Sequence, residues 1–353
     1  MEEKNIAQAS SEKDYILEVE GLKQHFPIKK NMMGKVLSSL KAVDGVSFKL
    51  ERGKTLGIVG ESGCGKTTLG RTILRLYDFT DGSAVYNSKD DEGNTRKVEL
   101  ATASKKELRD LRTELQLVFQ DPYSSLPPRM TVGAIISEAV RVHNIVPAKD
   151  VDSYVRGVMK RCGLQEHYYD RYPHEFSGGQ RQRICIARAL AVKPKLVVCD
   201  EPVSALDVSI QAQIINLLKK LQREEEMSYL FISHDLSVVK YISDNIAVMY
   251  LGNVVEMGSA SDICKNAMHP YTQALFSAVP VANPHRKSEP VALDGELPSP
   301  ANPPKGCKFH TRCKHCMDKC REVAPSMTEV SDGHFVACYL AQEGKQTNEE
   351  EKD

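Results

Sequence analysis

A nine-residue stretch that begins at Gly60, GESGCGKTT, has the composition and spacing of a phosphate-binding loop. It fits the pattern G-x-x-x-x-G-K-[ST] and lies between an apolar strand pattern, LGIV, and a helical pattern, TTLGRTILRL. The glycines let backbone N–H groups turn toward phosphate oxygens, Lys66 supplies charge for the β and γ phosphates, and Thr67 offers its hydroxyl to Mg²⁺. The predicted nucleotide contacts in this loop are Gly60, Glu61, Ser62, Gly63, Cys64, Gly65, Lys66, Thr67 and Thr68.

Two adjacent carboxylates, Asp200 and Glu201, follow the apolar run LVVC. One carboxylate would orient Mg²⁺, and the next could polarise the attacking water as a general base. Because adjacent residues on a strand point in opposite directions, the two roles must divide between them. Taken alone, the pair also fits an ordinary strand end. Together with the phosphate loop it predicts nucleotide hydrolysis, with Asp200 at the metal and Glu201 at the water.

The stretch FSGGQRQRICIARAL, residues 176–190, places two glycines at the start of a helix whose apolar residues recur at a spacing of three. Ser177 and the N–H groups of Gly178 and Gly179 make a second anion site, again at a helix N-terminus. One chain therefore carries two half-sites for phosphate.

Composition and charge argue against several classes of protein. Of the 353 residues, 41% are apolar, 47 are Lys or Arg and 47 are Asp or Glu, so no overall basic field favours nucleic acid. No apolar run approaches the roughly 18 residues of a membrane-spanning helix. The N-terminus, MEEKNIAQASSEKD, lacks the basic and apolar regions of a secretory signal. We therefore expect a globular protein whose cysteines are reduced in the cytoplasm.

Strand and helix patterns alternate along the chain and predict an α/β fold. Alternating apolar residues between positions 16 and 50 predict half-buried strands. Residues 246–258 predict a hairpin that turns at Gly252 and Asn253, and residues 121–190 predict an inserted helical subdomain. Continuous apolar runs predict parallel strands covered on both faces at 56–59, 196–199 and 229–232.

Shifts in composition divide the chain into four segments. Residues 280–304 hold seven of the 17 prolines, which predicts an extended linker, and the final GKQTNEEEKD is charged and predicted to be disordered. The predicted segments are a disordered N-terminus (1–13), a nucleotide-binding domain (14–265), a C-terminal regulatory or linker and Cys-rich domain (266–342) and a disordered acidic tail (343–353).

In this order the motifs resemble the ATP-binding cassette (ABC) family, whose signature LSGGQ is matched here with Phe176 in place of leucine. The resemblance implies a P-loop NTPase (RecA-like) core with an antiparallel β subdomain, an inserted helical subdomain and a small Cys-rich C-terminal domain. It implies that two cassettes pack head to tail, with ATP and Mg²⁺ as cofactors and ATP hydrolysis coupled to transport as the activity. Each ATP would then lie between the phosphate loop of one subunit and four residues of the other: Ser177, Gly178, Gly179 and Gln180.

Four further positions match motifs of that family. By resemblance, Gln120 of FQDPYSSL would contact Mg²⁺ and the attacking water, and His234 of FISHD would contact the γ-phosphate. Asp207 of SALD would order the dimer interface, and Phe26 would stack on adenine. The predicted catalytic residues are thus Glu201, His234, Gln120 and Lys66, and the predicted Mg²⁺ ligands are Thr67, Gln120 and Asp200.

Longer matches, among them KAVDGVSF and HPYTQALFSAVP, resemble the peptide-importer branch of this family, and within it the F-type ATPase subunit of oligopeptide and dipeptide transporters. The resemblance implies a heterodimer with a paralogous D-type ATPase subunit, two membrane permease subunits, and indirectly an extracytoplasmic solute-binding protein. The protein would be peripheral on the cytoplasmic face of a bacterial membrane. Pro127 replaces the usual asparagine, which could alter permease docking, and Cys199 replaces alanine at little expected cost.

Residues 306–320, GCKFHTRCKHCMDKC, hold four cysteines, and a fifth follows nearby. With histidines close in sequence, these residues alone leave zinc, an iron–sulfur cluster and no metal as alternatives. In the peptide-importer branch the C-terminal domain resembles a C-x5-C-x6-C-x17-C site for a four-iron cluster. Cys307, Cys313, Cys320 and Cys338 reproduce that spacing, so the resemblance implies a [4Fe-4S] cluster, with Zn²⁺ as the alternative and Cys316 outside the set.

The rival class is a soluble cassette ATPase that acts on nucleic acid or ribosomes. Cassettes that work on DNA generally carry a long insertion between the phosphate loop and the signature, whereas 110 residues separate Lys66 from Ser177 here. Translation-type members typically carry two cassettes in one chain, and this chain has one. Within transport, nickel or another small solute is the alternative to peptides, because the ATPase does not touch the cargo.

Overall fold

The computed structural model describes residues 13–31, 36–89, 92–278, 293 and 295–343. Its strands, numbered in chain order, are β1 (Tyr15–Lys30), β2 (Val36–Glu51), β3 (Thr55–Val59), β4 (Asp81–Lys89), β5 (Thr95–Glu99), β6 (Leu115–Val118), β7 (Leu196–Asp200), β8 (Ser228–Ile232), β9 (Asn245–Tyr250), β10 (Asn253–Ser259), β11 (Thr328–Ser331) and β12 (His334–Val336).

The α-helices are α1 (Lys66–Ile73), α2 (Lys105–Leu111), α3 (Pro122–Ser125), α4 (Val132–Val142), α5 (Val151–Arg161), α6 (Gly178–Leu190), α7 (Val208–Glu225), α8 (Leu236–Ile242), α9 (Ala260–Lys265), α10 (Pro270–Ser277) and α11 (Asp318–Glu322). Short 3₁₀ turns occur at Ala148–Asp150, Glu166–Tyr168, Pro173–Glu175 and His310–Arg312.

The larger sheet has the strand order β11-β12-β10-β9-β3-β8-β7-β6. Strands β9, β3, β8, β7 and β6 pair in parallel, and β10, β12 and β11 continue the sheet with antiparallel pairs. Strands β3, β7 and β8 are buried at every residue, because helices cover both faces of a parallel sheet. The predicted apolar strands and the hairpin between β9 and β10 are confirmed.

A second sheet and a group of helices complete the cassette. Strands β2, β1, β4 and β5 form an antiparallel sheet. Helices α3 to α6 fall between β6 and β7 in the chain, within the predicted helical segment 121–190. The fold is therefore α/β, with an antiparallel sheet and a helical part, as predicted.

The C-terminal cysteine-rich stretch is attached to the main sheet. Strand β12 pairs with β10 through Val336 and Phe335, and β11 pairs with β12. Within residues 295–343, β11 and β12 therefore extend the sheet that carries the phosphate loop. Much of the predicted linker (280–292 and 294) and most of the predicted disordered ends (1–12 and 344–353) lie outside the described residues.

Candidate functional site

The phosphate loop joins β3 to α1 at the carboxyl edge of the main sheet. Gly65 caps the N-terminus of α1 with φ +104°, a conformation that favours glycine, and a Cβ there would collide with the carbonyl oxygen of Ala42. The loop borders a cavity of ≈ 530 Å³, a size within the range of small-molecule sites. Six predicted loop residues line it: Ser62, Gly63, Gly65, Lys66, Thr67 and Thr68.

Lys66 holds its ammonium inside the loop. The side chain is buried, and Nζ donates hydrogen bonds to the carbonyl oxygens of Gly60 at 2.8 Å and Glu61 at 3.1 Å. Desolvated positive charge beside a helix N-terminus favours a phosphate. These residues therefore fit a nucleoside triphosphate, as the sequence predicts.

Three predicted loop contacts do not line the cavity: Gly60, Glu61 and Cys64. Cys64 is 1% exposed, and burial raises the pKa of its thiol above the ordinary value. The Glu61 carboxylate faces away, toward Arg312. The side chains of Glu61 and Cys64 thus lie away from the cavity, and nucleotide contact by the backbone of these three residues stays a prediction.

Thr67 lines the cavity and contacts Asp200, which is buried. The Thr67 hydroxyl donates to Asp200 Oδ1 at 2.7 Å, and Arg71 Nη2 lies 3.5 Å from Asp200 Oδ2. Burial raises the pKa of Asp200, while the Thr67 and Arg71 contacts oppose that rise. A hydroxyl and a carboxylate are the hard oxygen ligands that Mg²⁺ prefers, so this pair fits the metal. Gln120, the third predicted Mg²⁺ ligand, is hydrogen-bonded to Glu201 and not to this pair.

Glu201 forms the centre of a group of three polar side chains. Gln120 Nε2 donates to Glu201 Oε2 at 3.0 Å, and His234 Nδ1 lies 3.1 Å from the same oxygen. All three residues line the cavity. They come from three segments that follow β6, β7 and β8, whose carboxyl ends meet at one edge of the sheet.

The backbone separates the tasks of the two adjacent carboxylates. Asp200 is the last residue of β7 and is 1% exposed, whereas Glu201 has φ +46°. A left-handed conformation is unfavourable for glutamate by about 1–2 kcal/mol, and such strain occurs at functional sites. It turns the Glu201 carboxylate toward His234 instead of the opposite face of the sheet.

Phe26 also lines the cavity. Its ring packs edge-on against Tyr77, with centroids 5.3 Å apart, and it shares the cavity wall with Leu40 and Pro300. The carbonyl oxygen of Pro300 accepts a hydrogen bond from the Lys41 N–H at 3.2 Å. Part of the predicted proline-rich linker thus borders the cavity, which the sequence pattern did not indicate.

The signature residues lie elsewhere. Ser177 caps α6, its hydroxyl accepts from the Gln180 N–H at 3.4 Å, and Gln180 Oε1 accepts from the Ser177 N–H at 3.0 Å. Asp207 caps α7 by accepting from the Ile210 N–H at 2.9 Å. Among the described residues that border the phosphate-loop cavity, none belongs to 177–180, and Asp207 is also absent. Ser177, Gly178 and Asp207 are exposed.

The cysteine cluster is the principal correction to the sequence predictions. Cys307, Cys313, Cys320 and Cys338 border one cavity, but the free space between them is only ≈ 10 Å³, about the space of one water. Within residues 13–31, 36–89, 92–278, 293 and 295–343, no three His, Cys, Asp or Glu side chains form a group that could hold a metal ion. The predicted [4Fe-4S] cluster is therefore wrong, and the described part of the chain offers Zn²⁺ no ligand set either.

Sequence reasoning missed the partners of Glu61. Arg312 Nη1 and Nη2 contact the two carboxylate oxygens at 2.7 and 3.1 Å, and the Tyr271 hydroxyl accepts from the Glu61 N–H at 2.9 Å. Arg312 is 251 positions from Glu61 in the chain, so no local spacing links them.

Two family profiles match this chain. The ABC transporter family profile matches residues 43–204, and the profile of the oligopeptide/dipeptide transporter C-terminal region matches residues 255–320. In the described part of the chain, no helix combines the length and apolar character needed to cross a bilayer.

Curated relatives match along nearly the whole chain. The oligopeptide transport ATP-binding protein AppF of Bacillus subtilis is 50% identical over 94% of this chain and 99% of its own length. The oligopeptide transport ATP-binding protein OppF of Salmonella typhimurium is 50% identical over 92% of this chain and 95% of its own. The structure of cbiO1 from Clostridium perfringens, part of the ABC transporter complex cbiONQ, matches with a TM-score of 0.58 and 28% identity over 72% of this chain and 92% of that one. The chain belongs to the ABC transporter ATPases, in the group that carries the oligopeptide/dipeptide transporter C-terminal region.

Proposed function

We propose that this chain is the ATP-hydrolysing subunit that powers an importer of oligopeptides or dipeptides. The observation that carries the proposal is the grouping of Gln120, Glu201 and His234 at the cavity that also contains Lys66 and Thr67. Relatives that are 50% identical are named oligopeptide transport ATP-binding proteins. Those names favour peptides over nickel, and transport over action on nucleic acid or ribosomes.

The chain's own residues divide the work of phosphoryl transfer. Mg²⁺ bound with ATP would neutralise charge on the transferring phosphoryl group. Thr67 and Asp200 would hold the metal, and the Lys66 ammonium would turn from the loop carbonyls to the phosphate oxygens. Glu201 would take the proton of the attacking water as general base.

Gln120 and His234 act on that base. Both contact Glu201 Oε2, at 3.0 and 3.1 Å, so they orient the carboxylate and restrict it to one direction. A base held in position lowers the entropic part of the barrier. The attacking water, bound beside Gln120 and Glu201, would be polarised at the face that receives the γ-phosphate.

We propose that ATP is shared with a second cassette, a paralogous D-type ATPase subunit. The N-terminus of α6 is exposed at Ser177 and Gly178 and does not border the chain's own phosphate-loop cavity. Its free N–H groups can therefore serve the nucleotide of a partner, while the partner's equivalent helix serves this chain. Asp207, exposed at the start of α7, would lie at that interface.

The remaining partners follow from membership of an importer. We propose two membrane permease subunits as direct partners, an extracytoplasmic solute-binding protein as an indirect one, and a peripheral position on the cytoplasmic face of a bacterial membrane. The segment after Gln120 supports a docking role because Tyr123 is 69% exposed and Pro127 is also exposed. Residues 14–265 would form the nucleotide-binding domain, and 266–342 a Cys-rich C-terminal domain that regulates or links it.

The direct test is Glu201→Gln in the purified protein with its cognate D-type partner. The amide keeps the size of the side chain but cannot accept the proton of water. We expect hydrolysis to fall by about 10²–10⁴-fold, measured as phosphate release, while MgATP still binds and drives association of the two subunits.

Glu224→Gln is the matched control, because Glu224 is exposed on α7, far from the loop in sequence. It should hydrolyse ATP at the parent rate. Unchanged hydrolysis by Glu201→Gln would remove Glu201 as the base, and a parent protein that does not bind MgATP would refute the proposed function itself.

A further inference from the structure

Glu61 belongs to the phosphate loop, yet its side chain lies outside the nucleotide cavity. Each of its polar groups has a partner. The N–H donates to the Tyr271 hydroxyl at 2.9 Å, the carbonyl oxygen accepts from Lys66 Nζ at 3.1 Å, and the carboxylate pairs with Arg312. Because the carbonyls of Glu61 and Gly60 together hold the lysine that meets the phosphates, the backbone conformation at Glu61 helps to determine where the Lys66 ammonium lies.

Arg312 fixes the Glu61 carboxylate in direction as well as in distance. Nη1 contacts Oε2 at 2.7 Å and Nη2 contacts Oε1 at 3.1 Å, which is a bidentate arrangement. The Arg312 side chain is 7% exposed and that of Glu61 is 26% exposed. Solvent therefore screens this pair less than it screens an ion pair on the open surface.

Arg312 is itself held by its neighbours in the C-terminal segment, which comprises residues 295–343. Phe309, three positions earlier in the chain, is 2% exposed and its ring contacts that of Tyr271, with centroids 5.4 Å apart. One residue before Phe309, the Lys308 ammonium pairs with Asp44 at 2.9 Å. Aromatic packing and a second ion pair thus fix the part of the chain that carries the Arg312 guanidinium.

We propose that Arg312 is a positioning residue for ATP binding: through Glu61 it holds the phosphate loop in the conformation that directs Lys66 at the nucleotide. The role depends on the proposed function only in requiring the MgATP site. By linkage, docking of the C-terminal segment and binding of ATP strengthen each other. The affinity for ATP is then set in part by a residue outside every cassette motif.

The experiment measures the dissociation constant of MgATP by calorimetry on the full-length chain. All variants carry Glu201→Gln so that ATP is not consumed. Arg312→Gln should weaken the binding of MgATP by about tenfold. Arg312→Lys should weaken binding less, because a lysine keeps the charge but cannot make the bidentate contact. Glu61→Gln removes the same pair from the other side and should match Arg312→Gln.

A double substitution separates positioning from general damage. Glu61→Gln with Arg312→Gln should bind MgATP no more weakly than either single variant, because both remove one interaction. Lys308→Gln is the matched control: it removes another docking ion pair of the same segment without touching Glu61. Its MgATP affinity should stay within about twofold of the parent, even where its unfolding temperature falls as far as that of Arg312→Gln.

Two results would overturn the proposal. One is an unchanged MgATP affinity in Glu61→Gln, which applies even if Arg312→Gln does not fold. The other is an equal loss of affinity in Lys308→Gln and Arg312→Gln, which would mean that docking in general, and not the contact with Glu61, supports the loop. Neither result would bear on hydrolysis by Glu201, so failure here is distinct from failure of the proposed function.

Discussion

Asp200 and Glu201 are neighbours in the chain but belong to different chemical environments. Asp200 is buried against Thr67, where oxygen ligands suit a metal, and Glu201 turns through φ +46° to meet Gln120 and His234. A single residue with left-handed backbone conformation is therefore enough to send two adjacent carboxylates to different places. The strain is retained because the base must point at the cavity.

Phe26 supports a prediction about the base of the nucleotide. Its half-buried ring lines the cavity, where stacking on adenine would add binding energy. Phe26→Ala should weaken MgATP by about 3–10-fold, and Phe26→Tyr should restore binding. Both constants can be measured by calorimetry on the full-length chain.

Tripolyphosphate provides the control for Phe26, because it carries the phosphates without a base. Its affinity should be the same in the parent and in Phe26→Ala. If both ligands lose affinity equally, the substitution has disturbed the phosphate loop and Phe26 does not stack on adenine.

At the scale of elements, the site is built where parallel strands end. The phosphate loop follows β3, Gln120 lies just after β6, Glu201 follows β7 and His234 follows β8. Adjacent strands β3, β8, β7 and β6 bring these four segments to one edge. The helical part between β6 and β7 exposes the N-terminus of α6, whose position depends on how closely these helices pack.

Gly133 allows a close contact with Tyr169 inside this helical part. It lies in α4, where a Cβ would collide with the ring of Tyr169, and that ring is held by a 2.7 Å hydrogen bond from its hydroxyl to Asp152. Gly133→Ala should therefore lower the free energy of unfolding by about 1–3 kcal/mol, measured by urea denaturation.

Gly157 is the matched case in the neighbouring helix α5. It is exposed, and an added Cβ would meet no atom within 4 Å. Because alanine favours a helix interior, Gly157→Ala should raise the free energy of unfolding by up to about 1 kcal/mol. The same sign for both substitutions would mean that contact with Tyr169 does not decide the cost.

At the scale of the whole molecule, the C-terminal segment is joined to the cassette by buried polar groups. Glu256 on β10 accepts from His334 on β12 at 2.8 Å and from the His269 N–H at 3.0 Å. All three residues are 0–1% exposed. A carboxylate buried this deeply is tolerated because several donors satisfy it.

His269 makes stability depend on pH. Burial lowers its pKa from 6.5 to about 4, and the Glu256 charge only partly opposes this. Between those values the unfolded chain binds a proton that the folded chain excludes, so the free energy of unfolding falls as pH drops below 6.5. The loss should reach about 2 kcal/mol at pH 5, relative to pH 7.5, in urea denaturation at the two values.

His269→Asn isolates that group. Asparagine does not titrate and can still accept the Tyr271 N–H that His269 Nδ1 accepts at 3.1 Å to cap α10. The variant should lose less stability than the parent between pH 7.5 and pH 5, whereas the same change at the exposed His315 should not alter the difference. Equal slopes in the parent and in His269→Asn would contradict the assignment.

The prediction of a metal cluster failed because it used the spacing of the cysteines along the chain and not the packing around them. The four cysteines selected by spacing do border one cavity: Cys307, Cys313, Cys320 and Cys338. Their side chains, however, do not form a group that could hold a metal ion in the described part of the chain. Ligand distances depend on the direction of each side chain, which the backbone around it decides. Spacing can select residues that come near each other without setting the space between them.

The sequence by itself determined those parts whose chemistry lies in consecutive residues. The phosphate loop from Gly60 to Thr68 and the capped helix at Ser177 could both be recognised, because in each the residues that present N–H groups to an anion are consecutive in the chain. The parallel strands were also predictable, since burial on both faces leaves continuous apolar runs.

Only the tertiary structure decided which distant residues face each other. It brought Gln120 and His234 to one carboxylate oxygen of Glu201. It also turned the Glu61 side chain away from the cavity and placed Arg312 against that side chain. The physical reason is that side-chain direction and separation arise from the packing of sheet, helices and C-terminal segment together. Nothing in the local order of residues encodes a contact across 251 positions.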